Sequence, residues 1–180
     1  MVSRVIPVDL FDLVIFGGTG DLARRKILPG LFRRLCAGQI PPEARIIGAA
    51  RSEMDTAGYR DMIREAIEEF GGDHALEPEL LEAFLTQLEY VTIDARGEDG
   101  WKELQALMAG TERVEAYYFS VAPSLFGDIA ERLQKWGMAD ADARIVVEKP
   151  FGRDLETARA LNRTLAAFFN EDQIYRIDHY

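Results

Sequence analysis

The sequence predicts an α/β fold: a Rossmann-type, doubly wound domain with a mainly parallel sheet and helices on both faces. Three observations carry this. Apolar runs of strand character alternate with segments of helical periodicity, the order that calls for a parallel sheet. The strand segments are near-continuous apolar runs, as strands covered on both faces should be. No internal repeat or low-complexity linker interrupts the pattern, so the 180 residues read as one domain with a sizeable core.

Each element has its own signal. Residues 1–9 read as a loose lead-in, and 10–16 as the first strand. The helix after it spans 20–35, with Leu22, Ile27, Leu31, Phe32 and Leu35 on its buried side. Pro29-Gly30 predicts a kink or break there, because proline lacks a donor and clashes with the preceding turn. Residues 38–42 form a loop and 45–50 the second strand. Ser52 to Asp55 offers caps for a helix carrying Tyr59, Met62, Ile63, Ala66, Ile67 and Phe70, which Gly71-Gly72 ends. Leu80, Leu81, Phe84, Leu85 and Leu88 mark a further helix, and 90–93 a strand. Trp101, Leu104, Leu107 and Met108 mark the next helix, followed by a strand over 114–121. Pro123-Ser124 opens a helix bearing Leu125, Ile129, Leu133 and Trp136. Residues 144–148 form a strand, Asp154 caps a last helix, and 174–178 form the final strand.

Composition narrows the function. The net charge of −10, from 21 basic and 31 acidic residues, argues against nucleic-acid binding and requires a local basic cluster for any anionic ligand. No window approaches the roughly 18 apolar residues of a membrane span. Asp9 and Asp12 break the only early apolar stretch, so no signal peptide is read. The single cysteine, Cys36, excludes an internal disulfide framework and is placed in the core; a reducing, cytoplasmic setting follows.

Ligands of open parallel sheets bind beyond the carboxyl ends of the strands, and the distinctive residues cluster there. After the first strand comes Gly17-Gly18-Thr19-Gly20-Asp21-Leu22-Ala23, the layout of a dinucleotide-binding turn, although its G-x-x-G spacing departs from the usual pattern. Glycines permit a tight turn and close backbone approach, and the helix start adds N–H groups and partial positive charge. Arg51 follows the second strand, where an NAD site usually places an acid; a cation there suits the 2′-phosphate of NADP. Arg24, Arg25 and Lys26 put charge where the helix dipole disfavours it, which a nearby anion would justify. Ala122-Pro123-Ser124 follows the 114–121 strand, and Lys149-Pro150-Phe151-Gly152 the 144–148 strand. Lys149 is a candidate donor to a substrate hydroxyl or the nicotinamide region, and a cis Lys149–Pro150 bond is expected to aim it. Asp178-His179-Tyr180 ends the chain; His179, near Arg176, suits a phosphate, while His74 reads as surface. No metal-ligand spacing and no nucleophile elbow is present.

Together, Gly17 to Ala23, Ala50-Arg51-Ser52, the Glu148-Lys149-Pro150-Phe151-Gly152-Arg153-Asp154-Leu155 string and Arg176-Ile177-Asp178-His179-Tyr180 resemble glucose-6-phosphate dehydrogenase, over essentially the whole chain. The resemblance implies an enzyme that uses NADP to oxidise glucose 6-phosphate at C1 to 6-phosphogluconolactone, the first oxidative step of the pentose phosphate pathway. By it, Gly17, Gly18, Thr19, Gly20, Asp21, Leu22, Ala23 and Arg24 line the coenzyme phosphates, and Arg51 holds the 2′-phosphate. Lys149 reaches coenzyme and substrate, His179 and Tyr180 bind the sugar phosphate, and Asp178 pairs with a catalytic histidine that lies downstream in the family. The larger domain that carries this histidine and forms the family's homo-oligomer is not expected within residues 1–180, so the chain alone should bind NADP weakly and catalyse little. Phe126 stands where some members carry a coenzyme-contacting tyrosine. Two other readings stay open at this point: a stand-alone NADP-binding regulatory module, and another sugar oxidoreductase family sharing Glu-Lys-Pro.

Overall fold

The computed structural model describes residues 8–73, 77–148 and 152–178. Six strands form one parallel sheet in the order β3-β2-β1-β4-β5-β6. The strands are β1 Phe11–Phe16, β2 Arg45–Ala50, β3 Leu88–Thr92, β4 Val114–Phe119, β5 Arg144–Glu148 and β6 Ile174–Ile177. The helices are α1 Leu28–Cys36, α2 Thr56–Phe70, α3 Pro78–Thr86, α4 Trp101–Met108, α5 Phe126–Lys135 and α6 Leu155–Ala166. This is the predicted doubly wound fold. Its order also shows that the chain starts at the centre of the sheet and winds outward twice, which strand patterns alone do not disclose.

The two faces of β1 explain the two layers. Alternate side chains of a strand point to opposite faces. Leu13 and Ile15 join Phe32, Tyr59, Ile63 and Phe84 under α1–α3, whereas Val14 and Phe16 join Trp101, Phe119, Ile129 and Leu165 under α4–α6. Cys36, expected in the core, is half-buried and packs against the first of these layers at its margin. No helix among the described residues is long and apolar enough to cross a membrane.

Local signals set the helix ends. Asp55 accepts from Gly58 N at 2.7 Å, capping α2. Asp154 and Thr157 cap α6 reciprocally. The first helix departs from expectation. Its irregularity precedes Pro29 as a π-helical turn, Ala23–Ile27, in which Leu28 N bonds Ala23 O, and α1 then continues through Pro29 and Gly30. Pro29 offers no N–H to the preceding turn, and the widened turn absorbs that mismatch without a break.

Asp12 had read as a charge interrupting an apolar stretch. It is instead fully buried on β1. Arg45, its register partner on β2, holds it with two hydrogen bonds, Nε to Oδ1 at 2.9 Å and Nη2 to Oδ2 at 2.8 Å. Arg113 Nη1 adds a third at 3.1 Å. The same guanidiniums bond Leu107 O and Glu43 O, each at 2.6 Å, so one carboxylate ties the amino ends of β1 and β2 to the connections beside them. Burial raises the carboxyl pKa, and the two arginines more than offset this, leaving it below its ordinary 3.8. A depressed carboxylate contributes stability in full above the unfolded-state value and loses it as pH falls through the folded-state one. Asp12→Asn should therefore cost about 2–4 kcal/mol near neutrality, somewhat under the range for fully buried pairs because both arginines keep contact with water. Denaturant unfolding from pH 7 down to about pH 2.5 checks this: the gap between variant and wild type should narrow below the ordinary carboxyl pKa of 3.8, and a constant gap would contradict it.

Candidate functional site

The winding direction reverses between β1 and β4, and the crevice beyond their carboxyl ends is where such sheets take dinucleotides. A cleft of about 560 Å³ opens there. Gly17, Thr19 and Gly20 line it from the β1 turn, Arg51 and Ser52 from the end of β2, Asp94 and Arg96 from the end of β3, and Ser120 to Ala122 from the end of β4. A smaller cavity of about 330 Å³ shares residues 120–122 and adds Leu22, Phe126 and Glu148. The site thus has two compartments flanking one segment: one toward β2 and β3, the other toward β5.

The glycine turn works first by steric tolerance. Gly17 has φ +81°, and a Cβ there would stand 2.0 Å from Ser120 O. Its N–H is already committed to Ala49 O at 2.8 Å, and that of Gly18 reaches the same oxygen at 3.4 Å. The N–H groups of Asp21, Leu22 and Ala23 precede the first intrahelical bond, Arg24 N to Gly20 O at 3.1 Å; Ala23 is fully buried, so those of Asp21 and Leu22 lie nearest the surface at the helix start.

A second contact holds the turn from below. Gly48 pairs with Ile15 on one side and Tyr90 on the other. Its missing side chain leaves room for the ring of Tyr59, which a Cβ would meet at 2.4 Å. Tyr59, fully buried, donates through its hydroxyl to Gly18 O at 3.0 Å. Burial pushes this phenol well above its ordinary pKa, so it stays a donor. The Tyr90 ring lies 4.9 Å away, and its hydroxyl is shared between Ala50 O at 3.1 Å and Ser52 O at 2.6 Å.

The predicted residues divide accordingly. Gly17, Thr19, Gly20 and Arg51 meet in the larger cleft, and Leu22 lines the smaller cavity. Gly18 packs on Gly48, and Ala23 is fully buried in the layer beneath α1. Asp21 and Arg24 are exposed on the helix and line neither compartment. Arg25 pairs with Asp21 at 2.7 Å and lies 5.0 Å over the Phe70 ring, facing α2. Asp178 is exposed just past β6, on the same carboxyl edge. Phe126 is buried edge-on against Phe119 at 5.3 Å. Lys149 with its expected cis bond, His179, Tyr180 and His74 lie outside the described residues. Sequence reasoning missed the end of β3. There Arg96 lines the cleft, on a loop that Arg132 braces through Gly97 O at 2.6 Å and that Trp101 Nε1 holds through Asp94 O at 2.9 Å. The available signal was a cation soon after a strand, as at Arg51.

Known proteins match this chain closely. The family described as glucose-6-phosphate dehydrogenase, NAD binding domain, matches residues 14–180. A glucose-6-phosphate 1-dehydrogenase of Rhizobium meliloti (strain 1021) is 44% identical over 100% of the chain and 37% of its own length. That of Gluconobacter oxydans (strain 621H) is 48% identical over 96% of the chain and 36% of its own length. The crystal structure of glucose-6-phosphate 1-dehydrogenase from Mycobacterium avium superposes with a TM-score of 0.85 at 36% identity, covering 94% of this chain and 36% of that one. The chain thus spans a little over a third of the length of these relatives.

Gly48→Ala should drive the new methyl into the Tyr59 ring and cost about 1–3 kcal/mol, the range for overpacked cores. Thermal unfolding checks the size of the loss, and an unchanged midpoint would mean that the ring moves aside freely.

Proposed function

The chain belongs to the glucose-6-phosphate dehydrogenase family, matched over its coenzyme-binding domain, and from that premise we propose that residues 1–180 form an NADP-binding domain. The carrying observation is that Gly17, which admits no Cβ, Thr19, Gly20 and the exposed Arg51 meet in one cleft at the strand-order reversal. These residues fit the ligand. Backbone N–H groups of the turn and helix start would receive the pyrophosphate, with Thr19 and Gly20 beside it, and Arg51 would receive the 2′-phosphate. No acid stands at the end of β2 to select an unphosphorylated ribose. In an acidic chain of net charge −10, Arg51 supplies the local positive charge that a polyanion needs, whereas Arg96 is paired with Asp128 at 3.4 Å.

When bound, the coenzyme supplies a hydride acceptor. The chain's own contribution would be to hold it, with Thr19, Gly20 and Arg51 of the larger cleft and Leu22 of the smaller cavity as the residues in reach. The reaction is oxidation of glucose 6-phosphate at C1 to 6-phosphogluconolactone, with Lys149 reaching substrate and coenzyme and His179 and Tyr180 holding the sugar phosphate. Asp178 orients a histidine base contributed by the part of the family's proteins beyond this span, which also forms their homo-oligomer. The relatives are named for this substrate.

The test is a titration of the chain with NADP and with NAD, repeated for Arg51→Ala. The variant should lose about 10-fold or more of its NADP affinity, the scale of a partly solvated hydrogen bond to a charged group, and little of its NAD affinity. The NADP effect should shrink as salt rises. Equal losses for both coenzymes would remove Arg51 from the 2′-phosphate. With glucose 6-phosphate and NADP the chain alone should form NADPH far more slowly than a whole enzyme of the family, and turnover at a comparable rate would overturn the division of labour proposed.

A further inference from the structure

The coenzyme site depends on two loops from neighbouring strands, the glycine turn after β1 and the Arg51 segment after β2. The structure joins them by a route that no part of the functional reading assigns. Tyr59 rises from α2 through the gap over Gly48 and bonds Gly18 O at 3.0 Å. Its ring packs on Tyr90 of β3, centroids 4.9 Å apart and planes 31° apart. Tyr90 then bonds the carbonyls on both sides of Arg51, Ala50 O at 3.1 Å and Ser52 O at 2.6 Å. Thr92, one turn of the pleat along β3, adds its hydroxyl to Ser52 O at 3.2 Å, and Ile93 N bonds Ala50 O at 2.8 Å.

We propose that Tyr90 is a positioning residue for coenzyme selection: with Tyr59 as its link to the glycine turn, it holds the Arg51 backbone at the spacing that separates a 2′-phosphate from a pyrophosphate. The inference rests on the assignment of Arg51 to the 2′-phosphate. The physical reason is preorganisation. Arg51 is exposed, and a free arginine must give up considerable rotamer freedom to hold an anion. Bonding the carbonyls at 50 and 52 leaves the backbone at 51 little freedom, so only the side chain remains to be ordered. The two tyrosines bear on different parts of the ligand. Tyr90 touches the Arg51 segment and so acts on the 2′-phosphate. Tyr59 touches the glycine turn and so acts on the pyrophosphate, which NAD and NADP share.

Binding of four probes to the 180-residue chain tests this: 2′,5′-ADP and 5′-AMP, which differ only in the 2′-phosphate, and NADP and NAD. Tyr90→Phe keeps the ring and its packing and removes the hydroxyl. It should weaken 2′,5′-ADP and NADP by about 3- to 10-fold, the scale of one neutral hydrogen bond, and leave 5′-AMP and NAD within about 2-fold. Thr92→Val, which removes the second hydroxyl on Ser52 O, should show the same selectivity, and the double variant a larger one. Tyr59→Phe should weaken NAD and NADP together. A merely structural role for Tyr90 would lower the unfolding midpoint and weaken all four probes alike, and that result overturns the proposal. Arg51→Ala separates the two levels. If it leaves 2′,5′-ADP affinity unchanged, the functional reading fails and takes this inference with it. If it weakens 2′,5′-ADP while Tyr90→Phe and the double variant do not, only the inference fails.

Discussion

Backbone contact at the end of β1 is the constraint on which the site depends. The chain leaves the sheet at Gly17 with a left-handed φ of +81°, pressed against the carbonyl of Ser120, and Gly18 crosses over Gly48. A side chain at Gly17 or Gly48 would push apart β1, β4 and the tyrosine beneath them. Close approach does more than make room for a ligand. It brings the ends of β1, β2 and β4 together, so the glycine turn and Arg51 line one cleft.

The opposite end of β1 shows the same residue chemistry put to another use. Asp12, Arg45 and Arg113 are charged groups committed to one another, a strand's length from the arginines at the cleft. The buried carboxylate has no free lone pair to offer a ligand and locks register between β1 and β2. At the carboxyl edge Arg51 and Arg96 are exposed and line a cleft in a chain with an excess of acidic residues. Position along the strand separates buried, mutually paired charge from charge that lines the cleft.

The legible part of the site was the part carried by contiguous residues. Gly17 to Gly20 and Arg51 sit next to apolar runs that announce strands, so their place beyond strand ends follows from local pattern. Arg96 follows a strand too, but a short one, and its support comes from Arg132 and Trp101, which lie in other elements. Tyr59 was legible as part of a helix face and Tyr90 as the start of a strand, and both are buried; their hydroxyls act on backbone carbonyls 41 and 38–40 residues away, and no periodicity encodes that. In place of the kink or break expected at Pro29 there is a π-helical turn just before it, because a helix can relieve a missing donor by widening before the proline.

The sequence by itself determined the alternation of strands and helices, the carboxyl edge as the place for ligands, and a turn with a cation suited to a phosphorylated dinucleotide. These are local properties, set by side-chain periodicity, glycine conformation and the sign of a charge. Only the tertiary structure decided the strand order, the burial of Asp12, the exposure of Arg24 outside the cleft, and the route from Gly18 through Tyr59 and Tyr90 to Ser52. Each of these depends on which distant segments meet across the sheet, and that is settled by packing two hydrophobic layers around β1 rather than by any single stretch of chain.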